Sequence, residues 1–175
     1  MMDGANVRVC IPGDETVLSL LGQATFLESF AGMVDGRDLL DHCTNKHAPG
    51  VYRDWLEDRN VRIWMAEIPP GNAPVGYLVL TPPDLPVADM QSGDLEIKRV
   101  YILHRFQGTG LGKALMEAAF IHAKKIKCRR VLLGVYSRNT GAIAFYRKLG
   151  FIAVGKRTFR VGKMTSEDTV FALTL

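Results

Sequence analysis

Gln107-Gly108-Thr109-Gly110-Leu111-Gly112 places three glycines at alternate positions in six residues. The β-like run Leu95–Leu103 precedes them and the helical run Lys113–Phe120 follows. Strand, glycine loop and helix start together present free backbone N–H groups at a helix N-terminus. Those groups and the helix dipole favour an anion, typically a phosphate, and glycine lets the backbone approach it closely. The spacing is G-x-G-x-G, so it does not match the G-x-G-x-x-G dinucleotide fingerprint. Nor does it match a Walker loop, because Ala114 stands where Ser or Thr would follow Lys113. A bare strand-to-helix turn is the alternative for the loop taken alone.

The loop has a companion about 30 residues downstream, Asn139-Thr140-Gly141-Ala142-Ile143-Ala144-Phe145-Tyr146-Arg147-Lys148-Leu149-Gly150-Phe151. The two together resemble the GCN5-related N-acetyltransferase superfamily. Its signature Q/R-x-x-G-x-G/A is met by Gln107, Gly110 and Gly112. Its signature N-x-x-A-x-x-F-Y-x-x-x-G-F is met by Asn139, Ala142, Phe145, Tyr146, Gly150 and Phe151. The resemblance covers residues 94–155 directly. It implies acetyl-CoA as cosubstrate, with the pyrophosphate on Gln107, Gly108, Thr109, Gly110, Leu111 and Gly112 and with Lys113 also at the cofactor. It further implies that Asn139, Tyr146 and Lys148 border the cofactor. The strand at Val100, Tyr101 and Ile102 should splay from Val131–Tyr136, leaving backbone donors for the pantetheine amides and a tetrahedral oxyanion.

An amine is protonated at neutral pH and must lose that proton before it attacks a thioester. A carboxylate takes it directly or through water. The segment Glu96-Ile97-Lys98-Arg99-Val100-Tyr101 looks like the superfamily strand that carries such a base, which makes Glu96 the candidate; an ordinary exposed strand carboxylate is the alternative. Tyr146 matches the usual general acid. A phenol near pKa 10 can protonate a thiolate whose thiol lies near 8.5. A core tyrosine is the alternative.

For the acceptor, the layout resembles PaiA-type spermidine/spermine acetyltransferases at Thr25-Phe26-x-x-Ser29-Phe30, Leu95–Tyr101, Leu133-Gly134-Val135 and Phe159–Gly162. Residues 1–98 hold 15 Asp/Glu and 7 Lys/Arg, whereas residues 99–175 hold 3 and 15. The acidic half suits a small polycationic amine, with Glu28, Asp35 and Asp38 as its candidate ligands. The basic half suits a polyanion such as coenzyme A. Alternatives are a protein N-terminus or lysine, an aminoglycoside or an amino acid. A non-catalytic acyl-CoA sensor would need neither Glu96 nor Tyr146.

The elements that must position these residues follow from composition and periodicity. At 175 residues, 47% hydrophobic and 23% charged, one domain is expected. No apolar run reaches the ~20 residues that span a bilayer. The start, Met1–Asn6, has no leader pattern. Three scattered cysteines, Cys10, Cys43 and Cys128, fit a reduced cytoplasmic chain. The four histidines show no metal spacing, so no metal is expected. Lys124–Arg130 reads as a solvated helix end rather than a nucleic-acid patch. No nucleic-acid or membrane partner is expected, and a homodimer is left open.

Strands are expected at 6–11, 61–68, 75–80, 95–103, 131–136, 151–159 and 169–173. Helices are expected from Asp14 to Phe30, from Leu39, over 51–59, after Gly112 and after Asn139. Residues 81–93 form a long loop that borders the substrate site. The fold class is α/β (α+β), a mixed, mainly antiparallel sheet of about seven strands with helices on both faces.

Overall fold

The computed structural model describes residues 4–175; Met1 to Asp3, where the leaderless start was read, lie outside them. The elements are β1 (Asn6–Val9), α1 (Glu15–Phe30), α2 (Gly36–Lys46), α3 (Pro49–Glu57), β2 (Arg62–Ile68), β3 (Ala73–Thr81) and β4 (Asp94–Ile102). A 3-10 turn at His104–Phe106 follows, then α4 (Leu111–Lys125), β5 (Arg130–Tyr136), α5 (Thr140–Lys148), β6 (Ile152–Val161) and β7 (Met164–Thr174). One seven-stranded sheet runs in the order β1-β2-β3-β4-β5-β7-β6. Every pairing is antiparallel except β4 with β5, which is parallel and joined through α4. The mixed sheet of the sequence reading is therefore present.

Alternation along each strand divides the core between two faces. On one face, Leu78, Leu80, Ile97, Val131, Leu133 and Phe171 pack under α4 and α5 through Leu111, Leu115, Met116 and Tyr146. On the other, Ile63, Met65, Tyr77 and Val79 meet α1 and α3 through Leu18, Leu21 and Tyr52. Phe26, Leu39, Cys43 and Val161 continue that face under α2. Leu111, Leu115 and Met116 have no exposed surface, so burial of α4 alone supplies several kcal/mol at about 1.5–3 kcal/mol per large side chain.

Several local expectations are revised. The helix expected from Asp14 has Asp14 at its N-cap position, but the side chain makes no cap bond, because its carboxylate is taken by Arg8 at 2.8 and 2.9 Å and by the Ile11 N–H. The second helix starts three residues early, at Gly36, because Asp35 accepts N–H bonds from Arg37 and Asp38 as its cap. The third begins at Pro49, which lacks the N–H that a first helical turn leaves unused. Ile121, apolar like most of α4, is 71% exposed, turned away from Leu111, Leu115 and Met116. The two closing strands are longer than expected, since they form one hairpin that turns at Gly162, φ 54°.

The basic run after α4 also divides. Lys124 and Lys125 end the helix in solvent, but Arg129 and Arg130 converge on Asp94 at 2.7 and 3.0 Å, and Arg130 reaches Asp89 at 2.9 Å. The Asp94 side chain has no exposed surface. These bonds fasten the first residues of β4 to the first residues of β5, where the parallel pairing of the sheet lies.

Candidate active site

That pairing is short. β4 and β5 meet at Asp94↔Arg130, Leu95↔Val131 and Glu96↔Leu132, and no further. Beyond it, β5 pairs only with β7, while β4 continues along β3 as far as Ile102. The sheet therefore opens into a cleft between residues 97–102 and 133–136. The Leu103 N–H donates to the Val75 carbonyl at 2.9 Å and Tyr101 pairs with Tyr77. In that register Tyr101 spends its backbone groups on β3, and alternation turns those of Val100 and Ile102 toward the cleft. The Gln107 side-chain amide donates to the Ile102 carbonyl at 3.2 Å, leaving the Ile102 N–H free.

The glycine loop continues this row of donors. Among the described residues, no protein group accepts from the N–H groups of Gly108 to Lys113; the first bond of α4 runs from the Ala114 N–H to the Gly110 carbonyl. Gly108 and Gly110 hold φ of 75° and 91°, values that side chains disfavour. Thr109 stays in the turn by donating to the Phe106 carbonyl at 2.7 Å. Six unpaired donors at the start of a 15-residue helix give this loop the chemistry to hold an anion. Lys113 pairs with Glu117 at 3.6 Å in solvent, and Lys148 is exposed at the end of α5.

Tyr146 lies on the α4 side of the cleft, 7% exposed, between Phe145 and Phe151. Burial pushes its phenol well above the usual value, and the neighbouring Tyr101 adds to this. The hydroxyl therefore stays protonated at neutral pH but parts with its proton less readily than a free phenol. No protein group among the described residues pairs with it. Asn139 accepts the Ala142 N–H at 3.0 Å and so caps α5.

Glu96 is neither exposed nor idle. It is 1% exposed at the closed end of the cleft, on the face away from α4. Its Oε2 accepts the Asp84 N–H at 2.7 Å, and Lys98 approaches Oε1 to 3.4 Å. The long 81–93 segment lies against this spot, with Leu85 buried on Leu132 and Val170. The three acidic residues assigned to the acceptor each hold the fold: Glu28 accepts the His104 N–H at 3.1 Å, Asp35 caps α2, and Asp38 accepts the Lys163 N–H at 2.9 Å.

Sequence reasoning missed two polar groups on the same face. Arg99 reaches from β4 to the Tyr52 hydroxyl at 2.8 Å and also donates to the Lys46 carbonyl; Tyr52 bonds Tyr77 at 2.7 Å and His47 Nδ1 at 2.8 Å. A side chain on Gly22 would collide with His47 and Tyr52, so the glycine inside α1 was the one sequence trace of this network. The second group, Arg157 with Asp168, has a comparable trace in Gly134.

Burial, with Arg99 and His42 nearby, pushes His47 down to about 2. A histidine near 6.5 when unfolded and near 2 when folded contributes its full stability above pH 6.5. That contribution is lost progressively as pH falls below 6.5 toward the folded value, by at most about 1.4 kcal/mol per unit. The melting temperature is therefore expected to fall between pH 7 and 5, and His47→Gln to flatten that slope; an unchanged slope would exclude His47 as its source.

Comparison with known proteins decides the family. The model of the acetyltransferase (GNAT) family matches residues 33–151. The chain belongs to that family. An uncharacterized N-acetyltransferase of Mycobacterium tuberculosis is 38% identical over 96 residues, 55% of this chain and 57% of the relative. The spermine/spermidine N(1)-acetyltransferase of Bacillus subtilis is 35% identical over 81 residues, 46% of this chain and 53% of that one. These matches span about half the length of the curated relatives. The crystal structure of the PaiA N-acetyltransferase from Thermoplasma acidophilum in complex with coenzyme A superposes with a TM-score of 0.78 over 98% of this chain and 99% of that one, at 16% identity. This GNAT member thus shares the fold of that protein.

Proposed function

We propose that this GNAT member is an acetyl-CoA-dependent N-acetyltransferase acting on a primary amine. The observation that carries the proposal is the pair of unpaired backbone donor groups, Val100 and Ile102 in the open sheet and Gly108–Lys113 at the start of α4. Acetyl-CoA, when bound, supplies the acetyl thioester. The loop residues Gln107, Gly108, Thr109, Gly110, Leu111 and Gly112 hold the pyrophosphate, and Lys113 and Lys148 add positive charge near the phosphates. The backbone of Val100 and Ile102 hydrogen-bonds the pantetheine amides. Tyr101 contributes its ring to the acceptor side, where it lies 5.9 Å from Tyr77 and 6.1 Å from His47. Asn139 keeps α5, and with it Tyr146, in place.

The Ile102 N–H donates to the oxygen on which negative charge develops. Glu96, too deeply buried for direct contact, takes the amine proton through water. The Tyr146 hydroxyl gives a proton to the departing sulfur.

Similarity to the Bacillus subtilis enzyme supports spermidine or spermine as acceptor. Charge capture of a polycation would then fall to the remaining lone pairs of Glu28, Asp35 and Asp38. The experiment incubates the protein and acetyl-CoA with spermidine, spermine, an alanine-initiated peptide and kanamycin in turn, and follows thiol release together with the mass of the amine. Amine-dependent thiol release with a matching acetylated amine is expected. Tight acetyl-CoA binding without transfer to any amine would leave an acyl-CoA sensor and end the enzyme proposal.

A further inference from the structure

The wall of the cleft on the α1–α2 face carries a charge pair that no step above uses. Arg157 lies on β6 opposite Asp168 on β7, and Asp168 in turn pairs with Tyr136 on β5. The guanidinium donates from Nε to Asp168 Oδ2 at 3.2 Å, and Nη2 stands 3.2 Å from the same oxygen as an ion pair. Its third nitrogen, Nη1, has no partner among the described residues. The guanidinium lies flat over Gly134, where a Cβ would come within 2.6 and 2.8 Å of Nε and Nη2. Gly134 stands two residues past the last β4–β5 pairing, on the open part of the cleft. The pair is largely withdrawn from water, with side chains 23% and 4% exposed. Around it the wall is aromatic: Arg157 sits 5.6 Å from the Phe159 ring, Phe159 meets His42 at 6.1 Å, and Phe30 faces Tyr136 at 6.5 Å.

This wall is poorly suited to a polycation. Its carboxylate is already neutralised, its unsatisfied donor belongs to a cation, and a second positive charge beside Arg157 would be repelled. It suits an acceptor with an anionic oxygen close to its amine and an apolar body. A fixed guanidinium with a free N–H edge reads a carboxylate, and Asp168 holds that edge in place. Aromatic faces receive a ring or branched chain without ordering flexible groups. We infer that the acceptor is an α-amino acid with an apolar, preferably aromatic, side chain, its carboxylate read by Arg157. This rests on the acetyltransferase proposal and, at the same site, sets an amino acid in place of the polyamine that sequence similarity suggests.

The test compares L-phenylalanine with phenethylamine, which differs only in lacking the carboxylate, and with spermidine, all with acetyl-CoA and the full chain. A hydrogen bond to a charged group typically supports a preference of about 10-fold or more, so kcat/KM for phenylalanine should exceed that for phenethylamine by that factor. Arg157→Gln should collapse the ratio toward one. Because that variant leaves Asp168 buried without its partner, Arg157→Gln with Asp168→Asn provides a second, charge-neutral wall in which the same collapse is expected. A wild-type ratio of one or less, a preference for spermidine, or a ratio preserved in either folded variant would overturn the inference. Calorimetry with acetyl-CoA separates the two levels: absent binding removes the enzyme proposal together with this one, whereas binding with transfer to phenethylamine or spermidine alone removes only the amino acid acceptor.

Discussion

Tyr146→Phe is expected to lower kcat by on the order of 10²–10⁴, the usual effect of removing a positioned acid, while acetyl-CoA affinity changes far less. The ring is held by Phe145 and Phe151, at 5.3 and 5.8 Å between centroids, and phenylalanine keeps those contacts. The hydroxyl pairs with no protein group among the described residues, so its loss orphans nothing, and the melting temperature should move little. A large loss of rate in a protein of unchanged stability would therefore report chemistry rather than packing. Because burial raises the phenol above its ordinary value, the donor stays protonated well into the alkaline range, and its titration should not limit the rate near neutrality. Steady-state kinetics with thermal denaturation checks both points, and a variant with wild-type kcat would remove Tyr146 from the mechanism.

Gly110→Val is expected to weaken acetyl-CoA binding by at least about 10-fold. Gly110 holds φ at 91° immediately before α4. A β-branched residue there costs on the order of 1–3 kcal/mol, which the exposed loop relieves by changing shape. The N–H groups of Gly108 to Lys113 then no longer point to a common centre. Gly108 to Gly110 carry none of the core, so the loss should fall on the ligand more than on the fold. Calorimetry that finds wild-type affinity in the folded variant would contradict the anion site.

The order of the elements was legible because each strand and helix carries its own period. The nearly continuous apolar run Val131–Tyr136 reads as an interior strand, and β5 does lie between β4 and β7. The glycine loop and the Asn139–Phe151 segment were legible as spacing alone, since backbone conformation at Gly108 and Gly110 and capping by Asn139 are local properties. Polar side chains were legible in type but not in partner. Asp14, Asp35, Asp38 and Glu28 look alike in sequence, yet Asp14 and Asp35 bond groups near them in the chain, whereas Asp38 and Glu28 take the N–H groups of Lys163 and His104, partners set by long-range packing. Glu96 was singled out because its strand resembles the superfamily strand that carries a base, while its burial under the 81–93 segment depends on where that segment folds back. The Arg99–Tyr52–His47 network and the Arg157–Asp168 pair join elements far apart in sequence. Gly22 and Gly134 were their visible traces, glycines with no turn to explain them.

The most direct test of the acetyl-CoA site is a titration of the uniformly 15N-labelled protein with acetyl-CoA, followed through its backbone amide signals. The N–H groups that lack protein partners should respond most. The largest shifts are expected at Gly108 to Lys113, with a second group at Val100 and Ile102. Shifts absent from both groups, or concentrated elsewhere on the chain, would contradict the placement of the cofactor and the mechanism built on it.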